Sequence, residues 1–174
     1  MEPAEGNAIH PLNVTSNGVR KLVQTLVVAG LVLALDVATK QWALQRLPGR
    51  PIRLVEGFWN FVYVENRSSA FNLTEIIPYS VRHPLLVLVT IVAAVVITWF
   101  AVGTQPEQRL LRTGFAFLLG GAVGNLIDRL RFGYVIDFVD WYVGQLHWPA
   151  FNIADSAIVA GIALVMLKSP KKPG

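Results

Sequence analysis

Four stretches of this chain carry no charged side chain, and their lengths restrict what it can fold into. They lie between Lys21 and Asp36, between His83 and Glu107, from Thr113 to Ile127 and from Ser156 to Leu167. A helix needs roughly 20 mostly apolar residues to cross hydrocarbon. The second stretch reaches that length unaided, with an apolar part running from Pro84 to Val102. The others reach it by drawing a flanking aspartate into the span. The predicted spans are then about 22–44, 84–102, 110–130 and 152–168. Composition agrees, because 15% of residues are charged against about 25% in a soluble domain.

Several chemistries are excluded at once. With no cysteine, disulfides, thiol catalysis and thiolate metal sites drop out. His10, His83 and His147 have no ligand spacing, so no zinc site or other metal centre is expected, and no cofactor. The net charge of +4 is better read as juxtamembrane cations facing anionic lipid than as a nucleic-acid surface. Residues 1–19, "MEPAEGNAIHPLNVTSNGV", read as a flexible polar tail with no signal-cleavage pattern, and 169–174 as a basic tail.

Four spans put both termini on one side and two large loops, 46–82 and 131–150, on the other. Lys and Arg divide almost evenly between the sides, but "KSPKKPG" and Arg20–Lys21 abut spans directly and favour cytoplasmic termini. Within the first loop "FWNFVYV" suits strands, and Glu56-Gly57 suits a turn between them. A β-cradle is expected over about 50–75. The second loop holds Tyr134, Trp141, Tyr142 and Trp148, a composition typical of the membrane–water interface. A short interfacial helix is expected over about 133–150. The fold class is thus an all-α membrane protein, four transmembrane helices in one domain over 20–168, with a small extracytoplasmic cradle and an interfacial helix.

Antiparallel spans bring Asp36 and Lys40, then Asn125, Asp128 and Arg129, then Asn152 and Asp155 into one leaflet. Ionisable residues there are costly and tend to mark a functional interior. Each also has a plainer reading. Asp36 and Lys40, spaced i, i+4, can form a mutual ion pair, or else bind substrate or orient a site. Arg129 suits a helix C-terminus, whereas Asp128 there needs a cation partner and reads as a structural ion pair. Asn152 and Asp155 form a capping-box-like start to the last span, which would also favour the Asp155 anion. Asp137, in "YVIDFVDW", is either an interfacial surface acid or a desolvated carboxyl with a raised pKa. Asp140 reads as a solvent-facing charge.

One carboxylate favoured as the anion and one favoured protonated make an acid/base pair that can activate water without metal. Two other functions remain open. Ser68 or Ser69 could serve as nucleophile with Lys40 as base, in a serine–lysine signal peptidase. Alternatively, buried carboxylates could serve a small proton-coupled carrier.

The motifs "DVATK" (36–40), "NRSSAF" (66–71), "GNLIDR" (124–129), "VIDF" (135–138) and "FNIADS" (151–156) resemble those of the bacterial lipoprotein signal peptidases, or signal peptidase II. The resemblance covers about residues 30–168. It implies an aspartic endopeptidase of the inner membrane with Asp137 and Asp155 catalytic. It also implies that Asp36, Lys40, Asn66, Asn125, Arg129 and Asn152 support the dyad or bind substrate. The implied partners are membrane lipids and a diacylglyceryl prolipoprotein, cut just before its lipidated cysteine. The implied site faces the periplasm, and a monomer is compatible with all of this. One motif departs: the family usually has glycine two residues after the motif asparagine, where this chain has Ser68. A φ > 0 there would strain serine or shift the loop.

Overall fold

The computed structural model describes residues 12–68 and 77–167. Its elements are α1 (Leu12–Arg46), β1 (Ile52–Val55), β2 (Trp59–Asn66), α2 (Tyr79–Gly103), α3 (Arg109–Phe132), β3 (Val135–Val143), β4 (Leu146–His147) and α4 (Ile153–Leu167). The first three helices are long and apolar enough to cross a membrane, while α4 is a shorter apolar helix of 15 residues. Large apolar side chains such as Leu31, Leu88, Val95, Trp99, Leu130 and Met166 point outward along all four. An outer surface of that kind fits lipid rather than water. The tail expected over 1–19 is helical from Leu12 on. Residues 1–11 and the basic tail at 169–174 lie outside the described residues.

Helix α3 touches each of the other three, and glycines let it do so. A Cβ at Gly120 would lie 2.7 Å from the Ala29 carbonyl oxygen of α1, and one at Gly121 would collide with the Ala154 carbonyl oxygen of α4. Between hydrocarbon-embedded helices, backbone approach over small residues replaces the hydrophobic effect as the packing force. Gly133 ends α3 in the left-handed region at φ 81°, its N–H donating to the Arg129 carbonyl 3.0 Å away. That cap turns the chain directly into β3.

The interfacial helix expected over 133–150 does not form. Val135–Val143 is a strand instead, in an antiparallel sheet of order β1-β2-β3-β4. Interfacial aromatics suit either geometry, but here β-branched and aromatic residues find a partner strand, with Trp59 opposite Trp141, Phe61 opposite Val139 and Val64 opposite Asp137. Gly144, at φ 62°, turns the chain into β4. The expected hairpin in the first loop is present as β1 and β2, with Gly57 at φ 79° between them.

Ala43, Leu47, Ile136, Phe138 and Val139 form a buried core where the sheet meets the end of α1. Trp42 reaches from α1 to Phe61 and Phe138, with ring centroids 5.3 and 6.4 Å away. A bridge between Val139 and Phe151 ties the entry to α4 onto the sheet. The polar ends of α1, α3 and α4 therefore meet the sheet in one place.

Candidate active site

Lys40 sits at the centre of the polar layer, almost fully buried. Its three N–H donors have three partners: Asp36 Oδ2 at 2.8 Å, Asp128 Oδ2 at 3.0 Å and Asn125 Oδ1 at 2.9 Å. The i, i+4 pair is thus real, and Asp128 finds its cation across the helix interface. Each acid also holds a backbone amide. Asp36 Oδ1 accepts from Ala154 N–H at 2.8 Å, next to Asp155, and Asp128 Oδ2 accepts from Ile136 N–H at 3.1 Å, next to Asp137. One ion triad therefore fixes the backbone beside both remaining aspartates.

Asp137 and Asp155 are held quite differently. Asp137 is buried, its Oδ1 accepting from Asn152 Nδ2 at 2.7 Å and its Oδ2 from Asn66 Nδ2 at 2.9 Å. Asp155 Oδ1 accepts from Asn125 Nδ2 at 2.8 Å, and Oδ2 from the Asn152 N–H at 3.3 Å. Asp155 N–H returns a bond to Asn152 Oδ1 at 2.9 Å, completing the capping box at the start of α4. Every donor to these carboxylates is a neutral amide, and neither forms an ion pair among the described residues.

Burial pushes the Asp137 carboxyl up to about 7, and the nearby Asp155 charge adds to the effect. The amides of Asn66 and Asn152 and the more distant Lys40 pull the other way. Two carboxyls that influence one another titrate as a pair. Near neutral pH the pair can hold one proton.

The remaining residues frame this centre. Arg129 interacts electrostatically with Asp155, Asp137 and Asp128, and its guanidinium reaches the Asn125 carbonyl at 3.4 Å. Ser68 is buried, and its N–H donates to Asn66 Oδ1 at 3.0 Å, fixing which way the Asn66 amide points. Ser69 lies outside the described residues. All three N–H donors of Lys40 are taken by Asp36, Asp128 and Asn125, an arrangement that serves an ion cluster rather than the base of a serine–lysine pair.

Asp140 is not the solvent-facing charge expected from sequence. It is 7% exposed and accepts from Asn60 Nδ2 at 3.3 Å, with His147 Nδ1 2.8 Å away. Its partners come from β2 and β4, so only the strand pairing could have revealed them. Asn66 was reachable through the motif resemblance alone. Its signal in the fold is its place as the last residue of β2, opposite Val135.

Apolar helices, a small sheet and two amide-held carboxyls at their junction fit a membrane aspartic peptidase. The family model for signal peptidase (SPase) II, Peptidase_A8, matches residues 28–170, and the chain belongs to that family. It is 43% identical over 143 residues to the lipoprotein signal peptidase of Syntrophotalea carbinolica, covering 82% of this chain and 88% of the relative. It is 38% identical over 159 residues to that of Syntrophus aciditrophicus, covering 88% and 96%. Two solved structures of a bacterial membrane enzyme, obtained by the in meso method at 2.3 and 1.9 Å, share the fold. Their TM-scores are 0.72 and 0.74 at 24% identity, over 87% and 86% of this chain and 94% of theirs.

Proposed function

We propose that the chain removes signal peptides from diacylglyceryl-modified prolipoproteins, hydrolysing the peptide bond before the lipidated cysteine with Asp137 and Asp155. The family and two lipoprotein signal peptidases similar to the chain support the reaction class. The observation that carries the residue assignment is the sorting of charge. Asp36 and Asp128 share the Lys40 cation, whereas Asp137 and Asp155 form no ion pair among the described residues and are joined through Asn152.

Asp155, at the N-terminus of α4, is the better base. It takes a proton from water as the water oxygen attacks the scissile carbonyl carbon. Asp137, in its protonated form, hydrogen-bonds the carbonyl oxygen and gives it its proton as the tetrahedral intermediate forms. On collapse, the proton on Asp155 passes to the leaving amine, and the hydroxyl proton returns to Asp137. Asn125 and Asn152 hold the two carboxyls in register, and Arg129 adds positive potential beside them.

The polar layer lies at the sheet end of the bundle, which supports placing the site on the periplasmic side of the inner membrane with cytoplasmic termini. The test is cleavage of a lipidated prolipoprotein in detergent by the wild type, Asp137→Asn and Asp155→Asn. Each variant should lose activity by a factor of at least about 10³, in line with loss of a general acid or base. Full activity in either would overturn the dyad.

A further inference from the structure

At the opposite end of the bundle from the dyad, a cavity of about 400 Å³ opens between the starts of α1 and α3. Arg112 and Asp128 are 16 residues apart on α3, so the two ends are separated by about 24 Å at 1.5 Å per residue. Three guanidiniums line this cavity, from Arg20, Arg109 and Arg112, and no acid among the described residues lines it. Arg112 is 6% exposed, and its Nη1 meets two neutral acceptors, Thr104 Oγ1 at 3.2 Å and the Gln105 carbonyl at 3.4 Å. None of the three arginines forms an ion pair among the described residues. Arg109 and Arg112 also occupy the first turn of α3, which has no acid. Cations there oppose the helix dipole, and an anion would relieve both.

We propose that this cavity is a binding site for an anionic glycerophospholipid, with the phosphodiester held by the arginines. The site suits a lipid rather than a soluble phosphate, because Val23, Val27, Val28 and Ala116 give it an apolar side next to the polar Gln24, Thr25 and Thr113. Val23 and Val27 line it and are 53% and 57% exposed, and Ala116 closes the floor. An acyl chain would cover those valines while the headgroup neutralises the guanidiniums, which planar forks contact bidentately.

The test uses the full chain, delipidated in a neutral detergent, with thermal melting followed against added phosphatidylglycerol, phosphatidylcholine or inorganic phosphate. Phosphatidylglycerol should raise the melting temperature saturably, and the other two should not. The double variant Arg20→Gln/Arg109→Gln changes two exposed side chains. It should weaken half-saturation by about thirtyfold, as expected for two juxtamembrane cations removed from an anionic headgroup. Val27→Trp fills the apolar wall without altering charge and should also weaken it, while prolipoprotein cleavage in lipid-free detergent stays unchanged in both variants. An equal shift with phosphatidylcholine, a shift with inorganic phosphate alone, or an undiminished phosphatidylglycerol response in both variants would overturn the proposal.

Discussion

Replacing Asn66 by alanine tests whether the sheet tunes the proposed catalytic pair. Asn66 Nδ2 donates to Asp137 Oδ2 at 2.9 Å and lowers a pKa that burial otherwise raises. A hydrogen bond to a charged group contributes about 1.5–3 kcal/mol, and part of it survives when the acid is protonated. A net loss of about 1.4 kcal/mol from the anion corresponds to one pKa unit. The upper apparent pKa of the pair should therefore move from about 7 to about 8 in the variant. The assay is the pH profile of kcat/KM on a lipidated prolipopeptide in detergent. If the proton on Asp137 is required, wild-type activity falls on the alkaline side near pH 7, and in Asn66→Ala that limb moves upward. Asn60→Ala serves as the control, because Asn60 lies on the same strand but donates to Asp140 instead. An unmoved limb in Asn66→Ala, or an equal move in Asn60→Ala, would refute the reasoning.

Other perturbations have equally definite outcomes. Lys40→Met strands Asp36 and Asp128 without a cation, and breaking a buried pair in this way costs about 3–5 kcal/mol, so both thermal stability and cleavage should collapse together. Gly121→Ala drives a methyl into the Ala154 carbonyl, and overpacking of about 1–3 kcal/mol should lower the melting temperature, whereas Gly18→Ala meets open space and should not. Asp137→Asn should stabilise the protein at alkaline pH. The folded pKa of Asp137 is raised, so its contribution is fully present below about pH 4 and is lost as pH rises through about 7. Three units correspond to on the order of 4 kcal/mol, so the variant should melt above the wild type at pH 8 and level with it at pH 4.

The helices were legible because a charge-free run in this chain has few alternatives, and β1–β2 because "FWNFVYV" is a strand-like run beside a glycine turn. The β3 strand was not. Its aromatics and acids suit a membrane interface as well as a strand, and the choice depends on β2, some 70 residues earlier in the chain. The same non-local pairing hides Asp140, which local sequence leaves in solvent and the sheet places beside Asn60 and His147. The gathering of Asp36, Lys40, Asn125, Asp128, Asn152 and Asp155 in one layer was visible from span direction alone. The Asp36–Lys40 pair was legible from its i, i+4 spacing, but that Lys40 also serves Asp128 was not, because side-chain packing across helices decides it.

That choice explains how two kinds of buried carboxyl coexist in one small volume. A cation placed against Asp137 would stabilise its anion and strip the proton that acid catalysis needs. The bundle instead confines its central cation to Asp36 and Asp128, whose other interactions are with the Ala154 and Ile136 amides. Positive charge thereby fixes the positions of Asp155 and Asp137 through the neighbouring backbone without binding either carboxylate. The amides of Asn66, Asn125 and Asn152 complete the arrangement, since neutral donors orient a carboxyl while shifting its ionisation less than an ammonium would. Gly124 makes room for the triad: a Cβ there would come within 2.5 Å of Asp36 Oδ2. Displacing that oxygen would disturb the Lys40 triad first and, through Ala154, the start of α4.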